Sequence, residues 1–170
     1  MPTHSTASRA IDIPADGRSD FDFFPGKWDV NHRRLQRRLA GDTNWDVFGG
    51  TCEVRPLLGG LGNVDDNVIE LPHGAYRAAT VRTFDPTTRQ WSIWWIDGRN
   101  PLTIGVPMRG AFVDGVGTFL CEDVLDGRPI RVRFLWSEIE QNTARWEQAF
   151  SQDGGTSWET NWVMEFSRQL

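Results

Sequence analysis

The sequence predicts a single all-β domain, an antiparallel up-and-down barrel of about ten strands. The 170 residues include 17 glycines and 9 prolines, spread along the chain, which suits many short elements better than a few long helices. Runs of alternating or β-branched and aromatic residues are separated only by short turn sequences, so consecutive strands should be antiparallel neighbours. An open sheet of that length has unpaired edges, and closure into a barrel removes them.

The N-terminal end precedes the strand pattern. Residues 1–19 are polar and lack periodicity, which predicts a flexible tail before a barrel domain at 20–170. Ser19-Asp20 is expected to cap one helical turn at 21–24, ended by Pro25-Gly26, so a short helical plug should lead into the first strand. We find neither the apolar run of a signal peptide nor a span of membrane length, and predict a cytoplasmic protein without a membrane partner.

Ten strands are predicted after this plug. Asp114-Gly115 and Asp126-Gly127 are confident hairpin turns, because Asp-Gly pairs suit the positive φ of type I′ turns. The predicted strands are 27–39, 45–55, 61–71, 75–84, 90–97, 102–113, 116–125, 129–137, 143–151 and 157–168.

The last three strands show the alternation of a barrel with a dry interior. One face of each is apolar and carries indoles, while the other is charged. Flat rings with N–H donors suit pockets for aromatic ligands, although they can also simply fill a core. The inferred inward residues that could bind such a ligand are Trp136, Trp146, Gln148 and Trp162, with Trp94 from an earlier strand.

The run Trp91–Ile96 is apolar on both faces. Two explanations stay open: the strand makes a homodimer contact, or it is buried beneath Phe23 and Phe24. The net charge of −5 disfavours nucleic acid as a partner. The basic stretch His32–Arg38 is interpreted as a solvated strand face.

The two cysteines, Cys52 and Cys121, are too few for a tetrahedral metal site, and neither belongs to a CxxC pair. Free thiols are favoured and a disulfide is left open. No cofactor or metal is expected, since the chain lacks phosphate-binding, zinc-protease and dinucleotide motifs.

Gly26-Lys27-Trp28, after a short helical turn, resembles the GxW signature of the lipocalin (calycin) family. The resemblance implies a barrel in which this Trp plugs one end and a basic residue of the last strand, here Arg168, packs across it. The chain is also similar to an uncharacterised bacterial family of lipocalin-like domains, through FDFFPGKW, RPLLGGLGNVDDN, WSIWWIDGRNP and SWETNWVMEF. This similarity implies the fold and hardly constrains the function.

Two further resemblances are weaker guides. Nitrobindin-type barrels also begin with GxW and bind haem through a late histidine, but the last histidine here is His73, in a predicted turn, so haem is disfavoured. Ser151–Trp158 resembles the Asp-box, which shapes a β-hairpin in sialidase-like propellers. A single copy indicates a structural hairpin and not glycosidase activity.

His32 and Asp66 are the candidate catalytic residues. His32 is in phase with Trp28 and could act as an acid or base in the cavity, or be hydrogen-bonded and inert. In strand 61–71 either Asn63, Asp65 and Asn67 or Asp66 faces inward; an inward Asp66 would be a desolvated base.

Arg82, on the next strand, is the predicted polar anchor of a ligand. It could pair with the carboxylates of strand 61–71, or receive an acidic group of the ligand. Tyr76 and Arg77 lie on the same predicted strand and are open to the same two interpretations.

The sequence therefore predicts a cytoplasmic barrel that binds a small hydrophobic or aromatic molecule in its interior. The alternative is a cofactor-free isomerase, cyclase or lyase that acts on a ring-bearing metabolite in the same cavity, with His32 or Asp66 as the acid–base group. The sequence alone does not show whether the protein is an enzyme.

Overall fold

The computed structural model describes residues 16–170. It contains ten β-strands and a single 3₁₀ turn, Leu58–Gly60, between the second and third strands. The strands are β1 Gly26–Leu35, β2 Trp45–Leu57, β3 Gly62–Leu71, β4 Gly74–Asp85, β5 Gln90–Asp97, β6 Met108–Val113, β7 Val116–Leu125, β8 Arg128–Ser137, β9 Thr143–Ser151 and β10 Glu159–Arg168.

The ten strands form a closed antiparallel barrel in sequential order, with β1 paired to β10. The closing pair runs from Trp28 opposite Arg168 to Arg34 opposite Trp162. Because every connection joins neighbouring strands, one end of the barrel carries the N-terminal segment and the turns after β2, β4, β6 and β8. We call this the closed end, and the opposite one the open end. The all-β, up-and-down barrel expected from the sequence is confirmed.

The two largest errors in the predicted strand bounds are strands that were made too long. β1 ends at Leu35 and not at 39, because Asp42 accepts hydrogen bonds from the backbone N–H groups of Arg37 and Asn44 and turns the chain back. β6 begins at Met108 and not at 102. Pro101 and Pro107 cannot donate to a strand ladder, which favours a loop in this region.

The N-terminal plug is not a helix. Residues 17–24 form successive turns in which the N–H groups of Asp20, Asp22 and Phe24 each donate to the carbonyl three residues back. Phe21 and Phe24 are nonetheless fully buried. Of the predicted 1–19 tail, residues 1–15 lie outside the described part, whereas the carbonyl of Gly17 accepts a hydrogen bond from the Trp91 indole at 3.1 Å.

An aromatic cluster fills the closed end. Phe21 makes edge contacts with Trp91 at 4.9 Å and Phe112 at 4.9 Å between ring centroids. Phe24 does the same with Trp136 at 4.8 Å and Phe166 at 5.4 Å. The inner face of the Trp91 run is thus buried under the N-terminal segment, chiefly through Phe21.

Trp28 lies beneath the guanidinium of Arg168, whose Cζ is 4.1 Å from the ring centroid. The same guanidinium donates hydrogen bonds to the carbonyls of Phe23, Pro25 and Gln141. Arg168 therefore ties the last strand to the N-terminal segment and to the turn before β9. This arrangement matches the one that the GxW resemblance implied.

The β9–β10 turn also follows its sequence motif. The carboxylate of Asp153 accepts hydrogen bonds from the Ser157 hydroxyl and from the Ser157 backbone N–H, and these lower the pKa of Asp153 to about 2. Trp158 donates to the carbonyl of Gly155 within the turn. The motif is a structural hairpin, and β10 begins after it.

The barrel wall has a gap in its strand pairing between β5 and β7. β5 pairs with β6 only from Trp91 opposite Gly110 to Ile93 opposite Met108. Beyond that point, 94–97 of β5 and 121–125 of β7 have no partner strand between them. The loop 98–107 spans the gap and exposes the apolar side chains of Leu102, Ile104 and Val106.

Candidate functional site

An apolar cavity of about 270 Å³ occupies the open half of the barrel interior. That volume lies just below the usual range of small-molecule pockets, as expected for a barrel able to hold one small ligand. Its walls come from β5 to β10 and from the loop 98–107. The lining residues that make the cavity mostly apolar are Ile93, Trp95, Met108, Val132, Phe134, Trp146, Phe150 and Trp162.

Three indoles form one wall of this cavity. The ring of Trp162 makes edge contacts with Trp146, at 5.6 Å and 86° between planes, and with Trp95, at 5.8 Å and 83°. Such perpendicular pairs are the geometry that the ring quadrupoles favour. The indoles therefore support one another and leave their remaining surface to the cavity.

A second, smaller space continues the cavity toward the closed end. It measures about 30 Å³, which is enough for one or two water molecules, and shares Ile93, Trp95, Phe134 and Trp146 with the larger one. Its floor is polar, made by the inward residues of β3 and β4: Asp65, Asn67, Thr80 and Arg82.

Asp65 and Arg82 form a buried ion pair in this floor. Arg82 Nη2 lies 2.7 Å from Asp65 Oδ2, and the two side chains are 5% and 2% exposed. Asp65 also accepts hydrogen bonds from the Asn67 amide and the Thr80 backbone N–H, while Arg82 Nη1 donates to Asn63 Oδ1. Three donors therefore hold the buried carboxylate in place.

The Arg82 guanidinium also faces the aromatic cluster. Its Cζ lies 5.0 Å from the ring centroid of Phe24, 5.4 Å from Phe21 and 5.9 Å from Trp136, distances at which a cation is attracted to a ring face. Its Nε is buried and has no hydrogen-bond partner. Arg82 thus joins the plug to the cavity floor and keeps one unused donor.

His32 lies inside the barrel but not on the cavity wall. Its Nδ1 accepts a hydrogen bond from the Trp162 indole at 3.2 Å, and its ring stacks on Phe48 at 4.9 Å. Burial, reinforced by the Arg34 charge, lowers the pKa of His32 to about 4. The neutral imidazole therefore orients Trp162, whose other face lies beneath the guanidinium of Arg34 at 4.6 Å.

The register of β3 and β5 decides two of the predicted site residues. In β3 it is Asn63, Asp65 and Asn67 that are buried, while Asp66 is exposed and pairs with Arg77 at 2.8 Å on the outer surface. In β5, Trp91, Ile93 and Trp95 face inward, so Trp94 lies on the outer face opposite Val81. Asp66 and Trp94 are thus outside the cavity, and their neighbours Asp65 and Trp95 line it.

The other predicted ligand-binding residues point inward. Trp146, Trp162 and Gln148 line the larger space, and Arg82 and Trp136 the smaller one. A bulge at Asn161 in β10 turns that residue inward, where its Oδ1 accepts a hydrogen bond from Gln148 Nε2 at 2.8 Å. The alternation of the sequence placed Asn161 on the outer face, because a bulge of this kind leaves no signal in a two-residue period.

Both cysteines are free thiols. Cys121 lines the cavity, and burial raises its pKa to about 11, which makes it an inert wall residue. Within residues 16–170 we find no cluster of three or more His, Cys, Asp or Glu side chains that could bind a metal ion. In the same range, none of the helices is long and apolar enough to cross a membrane.

The fold and the cavity define a ten-stranded antiparallel barrel with an indole-lined interior and a polar floor. Among solved structures, an S-type phycobiliprotein lyase from Guillardia theta superposes with a TM-score of 0.58 at 10% identity, covering 91% of this chain and 96% of the lyase. A de novo designed fluorescence-activating β-barrel matches with a TM-score of 0.47 at 12% identity, over 87% and 95% of the two chains. No protein-family model and no curated protein sequence matches. At these identities, the lyase shows a shared fold alone.

Proposed function

We propose that the barrel binds one small aromatic molecule in its interior. The observation that carries this proposal is the cavity of about 270 Å³ walled by Trp95, Trp146 and Trp162 and open toward the loop 98–107. A stability-driven core would fill such a space, because protein interiors are close-packed and empty volume costs free energy. The polar floor would bind a hydrogen-bonding end of the ligand, with the Arg82 guanidinium, whose Nε has no partner, as the donor.

We favour binding over catalysis. Of the two predicted acid–base residues, Asp66 is on the outer surface and His32 is held by Trp162 away from the cavity. Asp65 is the buried carboxylate at the floor, but its oxygens already accept hydrogen bonds from Arg82, Asn67 and Thr80. A general base needs a free oxygen within reach of the substrate proton. The isomerase, cyclase or lyase alternative is left with Asp123, an exposed carboxylate at the mouth of the cavity whose Oδ1 accepts the Val124 N–H.

N-phenyl-1-naphthylamine, a neutral aromatic probe whose fluorescence rises in apolar surroundings, tests the proposal. We expect saturable binding of one probe per chain. Cys121→Phe, which adds a ring inside the cavity, should weaken binding by about tenfold or more, since a filled cavity cannot take the probe. Thr118→Phe adds the same ring on the exposed outer face of the same strand and serves as the matched control.

Equal affinity for the wild type and Cys121→Phe would place the probe outside the cavity and overturn the proposal. Near-ultraviolet circular dichroism of each variant verifies native packing, because molten states bind such probes nonspecifically. The cytoplasmic location and the homodimer remain predictions. Cell fractionation tests the first, and sedimentation equilibrium, with Trp94→Ser to disrupt the outer face of β5, tests the second.

A further inference from the structure

A cluster of three guanidinium groups and one phenol hydroxyl lies at the open end of the barrel, beside the cavity. It consists of Arg34 at the end of β1, Arg38 in the loop that follows, Arg99 after β5, and the Tyr76 hydroxyl of β4. We call it the arginine rim. The Arg34 guanidinium lies 4.6 Å above the ring of Trp162, a cavity-wall residue, and that of Arg99 lies 3.8 Å from the ring of Tyr76. The cavity and the arginine rim thus share Trp162 as a common wall.

Only one of the three guanidinium groups of the arginine rim forms an ion pair with a neighbouring carboxylate. Arg99 pairs with Asp97 at 2.7 Å. Within residues 16–170, neither Arg34 nor Arg38 forms an ion pair. Glu159, the acidic group on the side of Arg38, instead accepts the backbone N–H of Leu39 at 2.8 Å.

Buried polar atoms in the same place are also unpartnered. Nε of Arg34 and Nε of Arg38 are inaccessible to solvent and have no hydrogen-bond partner, and the buried Tyr76 hydroxyl lies beside the Arg34 guanidinium. Burial lowers the pKa of Arg38 to about 10 and that of Arg34 below its usual value, which leaves both charged at neutral pH. Unpaired buried donors and cations are costly, and a bound anion is one of the partners that can satisfy them.

We propose that Arg34, Arg38 and the Tyr76 hydroxyl bind the acidic group of the same ligand whose aromatic part fills the cavity. The ligand class is therefore an aromatic organic acid. Two guanidinium groups and a phenol supply the planar, forked donors that a carboxylate or sulfonate accepts. This inference rests on the proposed function and adds the charge of the ligand to it.

A matched pair of probes separates the acidic group from the aromatic body. 8-Anilinonaphthalene-1-sulfonate carries one sulfonate more than N-phenyl-1-naphthylamine and is otherwise the same molecule. We expect the wild type to bind the sulfonate about tenfold more tightly, the gain typical of a charge-assisted contact. In the double variant Arg34→Gln/Arg38→Gln the two affinities should become equal.

Arg33→Gln/Arg37→Gln is the matched control, because it removes the same amount of charge from the residues that directly precede Arg34 and Arg38. Arg33 is exposed, and Arg37 pairs with Asp42 on the surface. It should keep the preference for the sulfonate. If it lost the preference to the same extent as the Arg34/Arg38 variant, the effect would be the net charge of the chain and the inference would be wrong.

Tyr76→Phe tests the site without changing any charge. Removal of the hydroxyl should weaken binding of the sulfonate several-fold more than binding of the neutral probe. A variant that binds both probes normally would remove Tyr76 from the site and contradict the assignment.

Other outcomes separate this inference from the proposed function. If the Arg34/Arg38 variant lost both probes equally, these arginines would only shape the cavity; the inference would fail while the proposed function stood. If neither probe bound the wild type, the proposed function itself would fail. If inorganic phosphate displaced the sulfonate probe at a concentration similar to that of the probe, the arginine rim would be a site for free anions. It would then not bind the acidic group of the cavity ligand.

Discussion

Neighbouring residues with the same side chain have opposite environments in β3. Asp65 is buried against Arg82, whereas Asp66 is exposed and pairs with Arg77 on the surface. Removing one partner of a buried ion pair leaves an uncompensated charge and costs several kcal/mol, while exposed pairs contribute little. The two carboxylates therefore give a controlled comparison of buried and exposed charge.

We expect Asp65→Asn to lower the free energy of unfolding by about 3–5 kcal/mol, and Asp66→Asn by less than about 1 kcal/mol. Urea unfolding of both variants measures the difference. Asp65→Asn/Arg82→Met should recover part of the loss, since the double variant no longer buries an unpaired cation. Equal effects of the two single variants would contradict the placement of Asp65 in the barrel interior.

His32 makes stability depend on pH. Its pKa falls from 6.5 to about 4 on folding, chiefly through burial. Between these values the unfolded chain binds more protons than the folded barrel, so acid favours unfolding. The free energy of unfolding should decline by about 3 kcal/mol as pH falls through this window, and His32 adds no further dependence below it.

Urea unfolding as a function of pH checks this expectation. His32→Phe should remove most of the decline between pH 6.5 and about 4, whatever its stability at neutral pH. His73→Asn, in the exposed turn after β3, should keep the decline of the wild type. A His32→Phe curve parallel to that of the wild type would show that another group causes the dependence.

At the scale of elements, the sequence predicted where the strands lie but not which residues of each strand face inward. The two Asp-Gly hairpins predicted both ends of β7 correctly, because the preference of Asp-Gly for such turns depends only on local sequence. In β3 and β5, carboxylates or indoles occupy both faces, so a shift by one residue was as consistent with the pattern as the true register. Only the pairing of Thr80 with Asp65 on one side and Trp95 on the other brings those residues to the inner face.

The loop 98–107 is the expected access route to the cavity. It crosses the gap between β5 and β7, and the N–H groups of Leu102, Ile104, Gly105 and Val106 donate no backbone hydrogen bond. Elements with few backbone hydrogen bonds open most readily. Entry of the proposed ligand at this loop would leave the paired part of the barrel intact.

Hydrogen–deuterium exchange tests this role. The amides of 102–106 should exchange fastest among residues 94–125, and saturation with N-phenyl-1-naphthylamine should slow them, because Gly105 and Val106 line the cavity. The β3–β4 turn, at the same end of the barrel, is the internal control and should not respond. Protection at Leu39 and Ala40 without protection of 102–106 would move the access route to the β1–β2 loop.

For the whole molecule, composition and turn chemistry were enough to predict a closed antiparallel barrel. The cavity walls were predicted in part, since Trp146, Gln148 and Trp162 lie on strands with clean alternation. The polar floor was one of two alternatives that the sequence left open, and the arginine rim was not predicted. They depend on residues that meet across strands, such as Arg34 over Trp162 and Arg82 beside Asp65, and such contacts exist only once the barrel has closed.

The most direct test of the barrel as a container for one aromatic molecule is the position of a bound probe. Nuclear Overhauser effects between N-phenyl-1-naphthylamine and the indole protons locate it. We predict contacts from the probe to Trp95, Trp146 and Trp162 and none to Trp94, which lies on the outer face of the same strand as Trp95. Contacts confined to Trp94 or to exposed Leu102, with none to the three cavity indoles, would contradict the account.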